Sequence, residues 1–198
     1  MKPTVAQKNS RVFALLCLFA LTGCTHIIRP PDEPFSGYTQ QEKIRLRIVL
    51  NITDELRQAK TEWHRQGDTW IMPVGVSIAQ NAETLAQHVF ENVVKVQGTT
   101  ERQTHDVDAV LTPRLAYANR TLGVSSFGDS IIAIKVEWNL TTPDGKAIWV
   151  DTVGGEARGS SGWTKPETIL KQALENLWRN SQQAMASSDA IKRFVAAR

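Results

Sequence analysis

Apolar residues fall at every second position at the start of the globular part: Ile44, Leu46, Ile48, Leu50 and Ile52, with Lys43, Arg45 and Arg47 set among them. Period two is the mark of a strand with one buried face. The period then changes. Leu56, Ala59, Lys60 and Trp63 share one side of a predicted helix over 53–66. Residues 69–76 read as a short strand, held to an edge or a bulge by Pro73, which has no ladder donor. After Asn81, the positions Leu85, Ala86, Val89, Phe90 and Val93 define an amphipathic helix. It runs towards a strand at 94–96 and a polar loop at 98–105. Alternation returns at 108–118, 130–142 and 147–153. Between the last two stands Thr142-Pro-Asp-Gly-Lys146, where Pro sets φ and Gly accepts positive φ, which predicts a hairpin. A loop with four glycines at 154–162 leads to a helix expected to start in a capping box from Thr164 to Glu167. Ile169, Leu170, Ala173, Leu174, Leu177 and Trp178 form its apolar stripe, and a short helix from 189 carries Ile191, Phe194 and Val195. The order β–α–β–α–β–β–β–α predicts one α+β domain over 42–198. It should hold a mostly antiparallel sheet of about four to five strands, with two or three helices on one face.

The first 41 residues follow other rules. Lys2, Lys8 and Arg11 precede an apolar run from Val12 to Leu21. A basic start followed by a short apolar run reads as a secretory signal; a spanning helix needs about 20 apolar residues. The run ends in Leu21-Thr22-Gly23-Cys24, which resembles the lipobox of bacterial lipoproteins. That resemblance implies a signal peptide over 1–23, cleavage before Cys24, diacylglycerol on its thiol and acylation of the new amine. One acyl chain holds a protein only marginally, at ~0.8 kcal/mol per buried methylene, whereas several hold it stably. Thr25, where an inner-membrane retention signal would have Asp, implies the outer membrane, facing the periplasm. Residues 24–41 contain Pro30, Pro31 and Pro34 and are expected as a tether reaching roughly 50 Å at about 3.1 Å per residue. The alternative is a tail packed on the domain through Ile27, Ile28, Phe35 and Tyr38.

Charge and cysteine content then narrow the chemistry. The chain has 23 Lys+Arg and 20 Asp+Glu, but three of the basic residues lie in 1–23, leaving 20 of each sign. A nucleic-acid partner is not expected, because clustered positive charge is its electrostatic footprint. The only cysteines are Cys17, within the expected signal, and Cys24, so no thiol is left for a disulfide, a metal or a nucleophile. The glycines at 154–162 precede a helix, but Trp163 stands where a phosphate loop needs Lys and Ser/Thr. Ser125 and Ser126 lack the Gly-x-Ser-x-Gly spacing and a base placed by sequence. His105, Asp106 and Asp108 are a compact polar set, short of ligands for a cation. Neither a cofactor nor a metal is expected, and the chain is read as a non-enzyme.

Of six tryptophans, Trp138, Trp149 and Trp178 fall at packing positions, while Trp63, Trp70 and Trp163 lie near turns or edges. Any of the latter three that is exposed is an interface candidate. Lys43, Arg45, Arg47, Arg114, Lys135 and Glu137 should line the open sheet face. Residues Val107 to Glu156 resemble small envelope lipoproteins: domains like the TolB amino-terminal domain, the penicillin-binding-protein activators and the lipopolysaccharide-assembly lipoprotein. The resemblance identifies no functional residue. It implies a non-catalytic adaptor or accessory subunit of an envelope assembly, with the membrane and an envelope protein as partners. A carrier of a small or lipidic ligand and an envelope hydrolase are the alternatives.

Overall fold

A computed structural model describes residues 24–65, 67–96, 107–122, 128–160 and 163–198. The fold is α+β. Its main sheet has five strands in the order β5 (Phe90–Val96), β2 (Ile44–Asn51), β6 (Ala109–Leu122), β7 (Asp129–Thr141) and β8 (Ala147–Ser160). β2 lies parallel to both β5 and β6, whereas β6–β7 and β7–β8 are antiparallel, so the sheet is mixed. Alternation sorts each strand: along β7, Ile132, Ile134, Val136, Trp138 and Leu140 are fully buried, while Lys135 is exposed. The predicted β7–β8 hairpin is present, closed by Gly145 N–H to Thr142 O at 2.9 Å, with Gly145 at φ 88°.

The helices are α1 (Asp54–Gln58), α2 (Gly75–Val89), α3 (Pro166–Ser187) and α4 (Asp189–Ala196). α3 packs across β7 and β8 on the inner face. Trp138 from β7 meets Trp178 from α3 edge to face at 6.4 Å, and the buried Trp138 Nε1 donates to Ser181 Oγ at 3.1 Å. The capping box expected at Thr164 is not used. Lys165 is the N-cap without a side-chain bond, and Pro166 starts the helix, where its missing N–H costs nothing.

Three further expectations change. Residues 154–160 are not a loop but the second half of β8, and two of their glycines, Gly155 and Gly159, admit close packing. A Cβ on Gly155 would overlap the Ala173 carbonyl and the Leu177 amide of α3, so the helix backbone lies directly on the strand. Asn176 and Asn180 of α3 donate to the Glu156 and Gly154 carbonyls, both at 2.8 Å. They occupy acceptors that an edge strand would otherwise offer to another chain. Secondly, the helix expected over 53–66 stops at Gln58. The following residues form β3 (Thr61–Arg65), antiparallel to β4 (Asp68–Met72). Thirdly, residues 24–41 are packed on the domain and do not form a free tether. β1 (Thr25–Ile27) adds in parallel to β4, completing a three-stranded sheet in the order β1-β4-β3. Ile28 is 1% exposed, and its N–H donates to Ile71 O at 2.9 Å. Further along, Phe35 N–H donates to Asn81 Oδ1 at 2.6 Å. Thr39 exchanges two bonds with the Gln182 amide, at 3.0 and 2.6 Å. The prolines give this segment an extended backbone, and its apolar side chains find partners on α2 and α3.

Candidate functional site

Cys24 is exposed and is the free cysteine among the described residues. Its backbone is fixed on both sides: the N–H donates to Asp68 Oδ1 at 2.9 Å, and the carbonyl accepts from Thr69 N–H at 2.9 Å. The Asp68 carboxyl is held below its usual range by the Cys24 N–H, with a further bond to His26. His26 Nε2 lies 3.1 Å from Asp68 Oδ2. The parallel register sets His26 beside Trp70, and their rings stack at 4.3 Å. Trp63, paired with Trp70 across β3 and β4, stacks at 6.3 Å on its other side. The Arg120 guanidinium sits 5.2 Å over the Trp70 ring, and its Nε donates to Ser130 Oγ at 2.9 Å. Arg120 is 9% exposed; burial and the nearby Arg65 cation lower its pKa. Its buried Nη1 has no hydrogen-bond partner among the described residues. An aromatic–cation ladder thus joins the first residues after Cys24 to β6 of the main sheet.

The other candidates are dispersed. Ser125, Ser126, His105 and Asp106 lie outside the described residues. Asp108 accepts from Arg47 N–H at 2.6 Å and pairs with Arg198, tying β2 to the end of the chain. Lys43, Arg45, Arg47, Arg114 and Lys135 are exposed as expected, and Arg114 pairs across the sheet with Glu137 at 3.6 Å. Trp138 and Trp178 are core, Trp63 and Trp70 are half-buried, and Trp163 is 86% exposed. A groove of about 570 Å³ runs between the Pro31–Gly37 segment and α3, walled by Phe35, Lys171, Glu175 and Arg179. Among the described residues no three His, Cys, Asp or Glu side chains converge as a metal site, and no helix is long and apolar enough to cross a membrane. The small sheet escapes sequence reasoning because β1 is three residues long and pairs more than 40 positions away; the His26–Trp70–Trp63 stack exists only once that register is known.

No protein-family model matches the chain, and no curated protein does. Several solved structures are similar in outline. A Xanthomonas campestris protein of the DUF330 family has 9% identity and a TM-score of 0.49, over 88% of this chain and 99% of that one. A minor lipoprotein from Acinetobacter baumannii has 12% identity and a TM-score of 0.40, over 79% and 96%. The PelC dodecamer from Paraburkholderia phytofirmans has 15% identity and a TM-score of 0.39, over 71% and 90%. At these scores the likeness assigns no residue and no activity.

Proposed function

We propose that this chain is a lipid-anchored envelope protein, held at a bilayer by acyl chains on Cys24, and that it acts as a non-catalytic accessory or adaptor subunit. The observation that carries the reading is Cys24 itself. It closes the lipobox-like Leu21-Thr22-Gly23-Cys24, and it is exposed directly before β1. A thiol suits the reaction, since it is a far better nucleophile near neutral pH than the hydroxyl of Ser or Thr. The bond from Cys24 N–H to Asp68 survives the modification, because an acylated amine, like a peptide nitrogen, keeps one N–H. Thr25 in place of Asp favours the outer membrane, on its periplasmic side.

The test is Cys24→Ser in cells fed labelled palmitate. The variant is expected to take up no label and to leave the outer-membrane fraction. Retained label with unchanged fractionation would overturn the anchor. Thr25→Asp is expected to move the lipidated protein towards the inner membrane. For the adaptor role, crosslinking in intact envelopes at native expression should enrich one specific protein partner; recovery of abundant bystanders alone would count against it.

A further inference from the structure

We propose that the Cys24 end of the domain is a membrane-apposed pole, in which Trp163 inserts into the headgroup region of the leaflet that takes the acyl chains. This rests on the anchor reading above and adds a surface to it.

The argument is one of register. The small sheet stands beside the far half of β6. Thr61 Oγ1 donates to Ala118 O at 2.9 Å, and two residues further along both strands the Trp63–Trp70 pair meets Arg120. Another two residues bring β3 to Arg65 and β6 to Leu122, so Asp68 and its partner Cys24 lie at the level of Leu122. Leu122 pairs with Ser130, Ser130 with Gly159, and Asp129 with Ser160. Trp163 follows directly, its N–H donating to Ser160 O at 3.2 Å. The lipid-bearing residue and, among the described residues, the most exposed large apolar side chain therefore leave the fold at the same end, from different sheets.

Exposure of 86% is unusual for tryptophan, whose ring is normally largely buried. The environment that suits an indole half in water and half in hydrocarbon is the bilayer interface, where Trp is enriched. Because β1 fixes Cys24 against Asp68 and Thr69, the chain between the acyl chains and the fold has no slack. The bilayer must lie within reach of this pole, and it is the occupant that the anchor itself brings there.

The test uses the lipidated protein purified in detergent and reconstituted into vesicles of phosphatidylethanolamine and phosphatidylglycerol, with and without acyl-brominated lipid. Bromine quenches only tryptophans that reach the bilayer. Wild-type emission is expected to be quenched, and Trp163→Phe to lose most of that quenching while still floating with the vesicles. Trp149→Phe, at the other end of β8, should keep it. Floating protein whose quenching is absent, or equal in wild type and Trp163→Phe, overturns the pole and leaves the anchor standing. Protein that carries no lipid and does not float overturns both. A benzophenone amino acid at position 163 in cells should crosslink to phospholipid; a protein adduct there would also overturn the proposal.

Discussion

Two adjacent glycines in β8 separate what a side chain does on each face of the sheet. Gly155 points inward, where its missing Cβ is the space that the α3 backbone fills. Gly154 points outward, where a Cβ would come 3.3 Å from the flexible Lys135 Cγ. Gly155→Ala must push α3 away from the sheet, and such overpacking costs about 1–3 kcal/mol or more. Gly154→Ala should be neutral or slightly stabilising, since glycine inside a strand is itself less favourable than alanine by ~0.5–1 kcal/mol. Urea unfolding of the two variants measures the difference, and equal midpoints would show that α3 does not rest on β8 as described. The same residue-level logic explains why 154–162 reads as a loop from sequence. Glycines chosen to admit a helix are indistinguishable from glycines chosen for freedom until the helix is seen against them.

Elements whose alternation separates water from core were legible in advance. β2, β6, β7 and the β7–β8 hairpin fall where Ile48, Leu111 or Ile134 must be buried and Arg45, Arg114 or Lys135 must not. The α3 stripe is just as plain, since Ile169, Leu170, Ala173, Leu174, Leu177 and Trp178 are all buried. What could not be read is where pattern and partner diverge. Leu56, Ala59 and Trp63 fit a helical side as well as they fit a one-turn helix followed by a strand, and only the pairing with β4 decides. The Pro-rich segment has the composition of a tether, but Ile28 and the Gln182–Thr39 bonds make it part of the fold. Its energetic role is testable at one position. Truncating a buried isoleucine to alanine costs about 2–5 kcal/mol, so Ile28→Ala should lower the unfolding free energy of the domain by that order. On a free tether the same change would do nothing, and a wild-type unfolding midpoint would restore the tether reading.

At the scale of the whole molecule, the absence of slack at β1 gives the protein a direction. A tether would let a domain turn freely above its anchor; with lipid on Cys24, as proposed, a strand that begins one residue later would fix which end faces the bilayer. In that orientation the β7–β8 hairpin turn, at the opposite end of the main sheet, would point away from the bilayer, with the exposed Arg114–Glu137 pair on the side. This orientation depends on chain length and not on lipid chemistry, so it can be broken without touching the anchor. Ten Gly/Ser residues inserted between Cys24 and Thr25 would span roughly 17 Å on average, from ~5–6 Å times the square root of their number. β1 would keep its pairing with β4, so stability and palmitate incorporation should match wild type. The pole, however, would be free to leave the surface, and quenching of Trp163 by brominated lipid should fall towards the level of Trp163→Phe. If the lengthened protein quenched as strongly as wild type, the pole would be binding the membrane by its own affinity, and the short connection would not be what orients the domain.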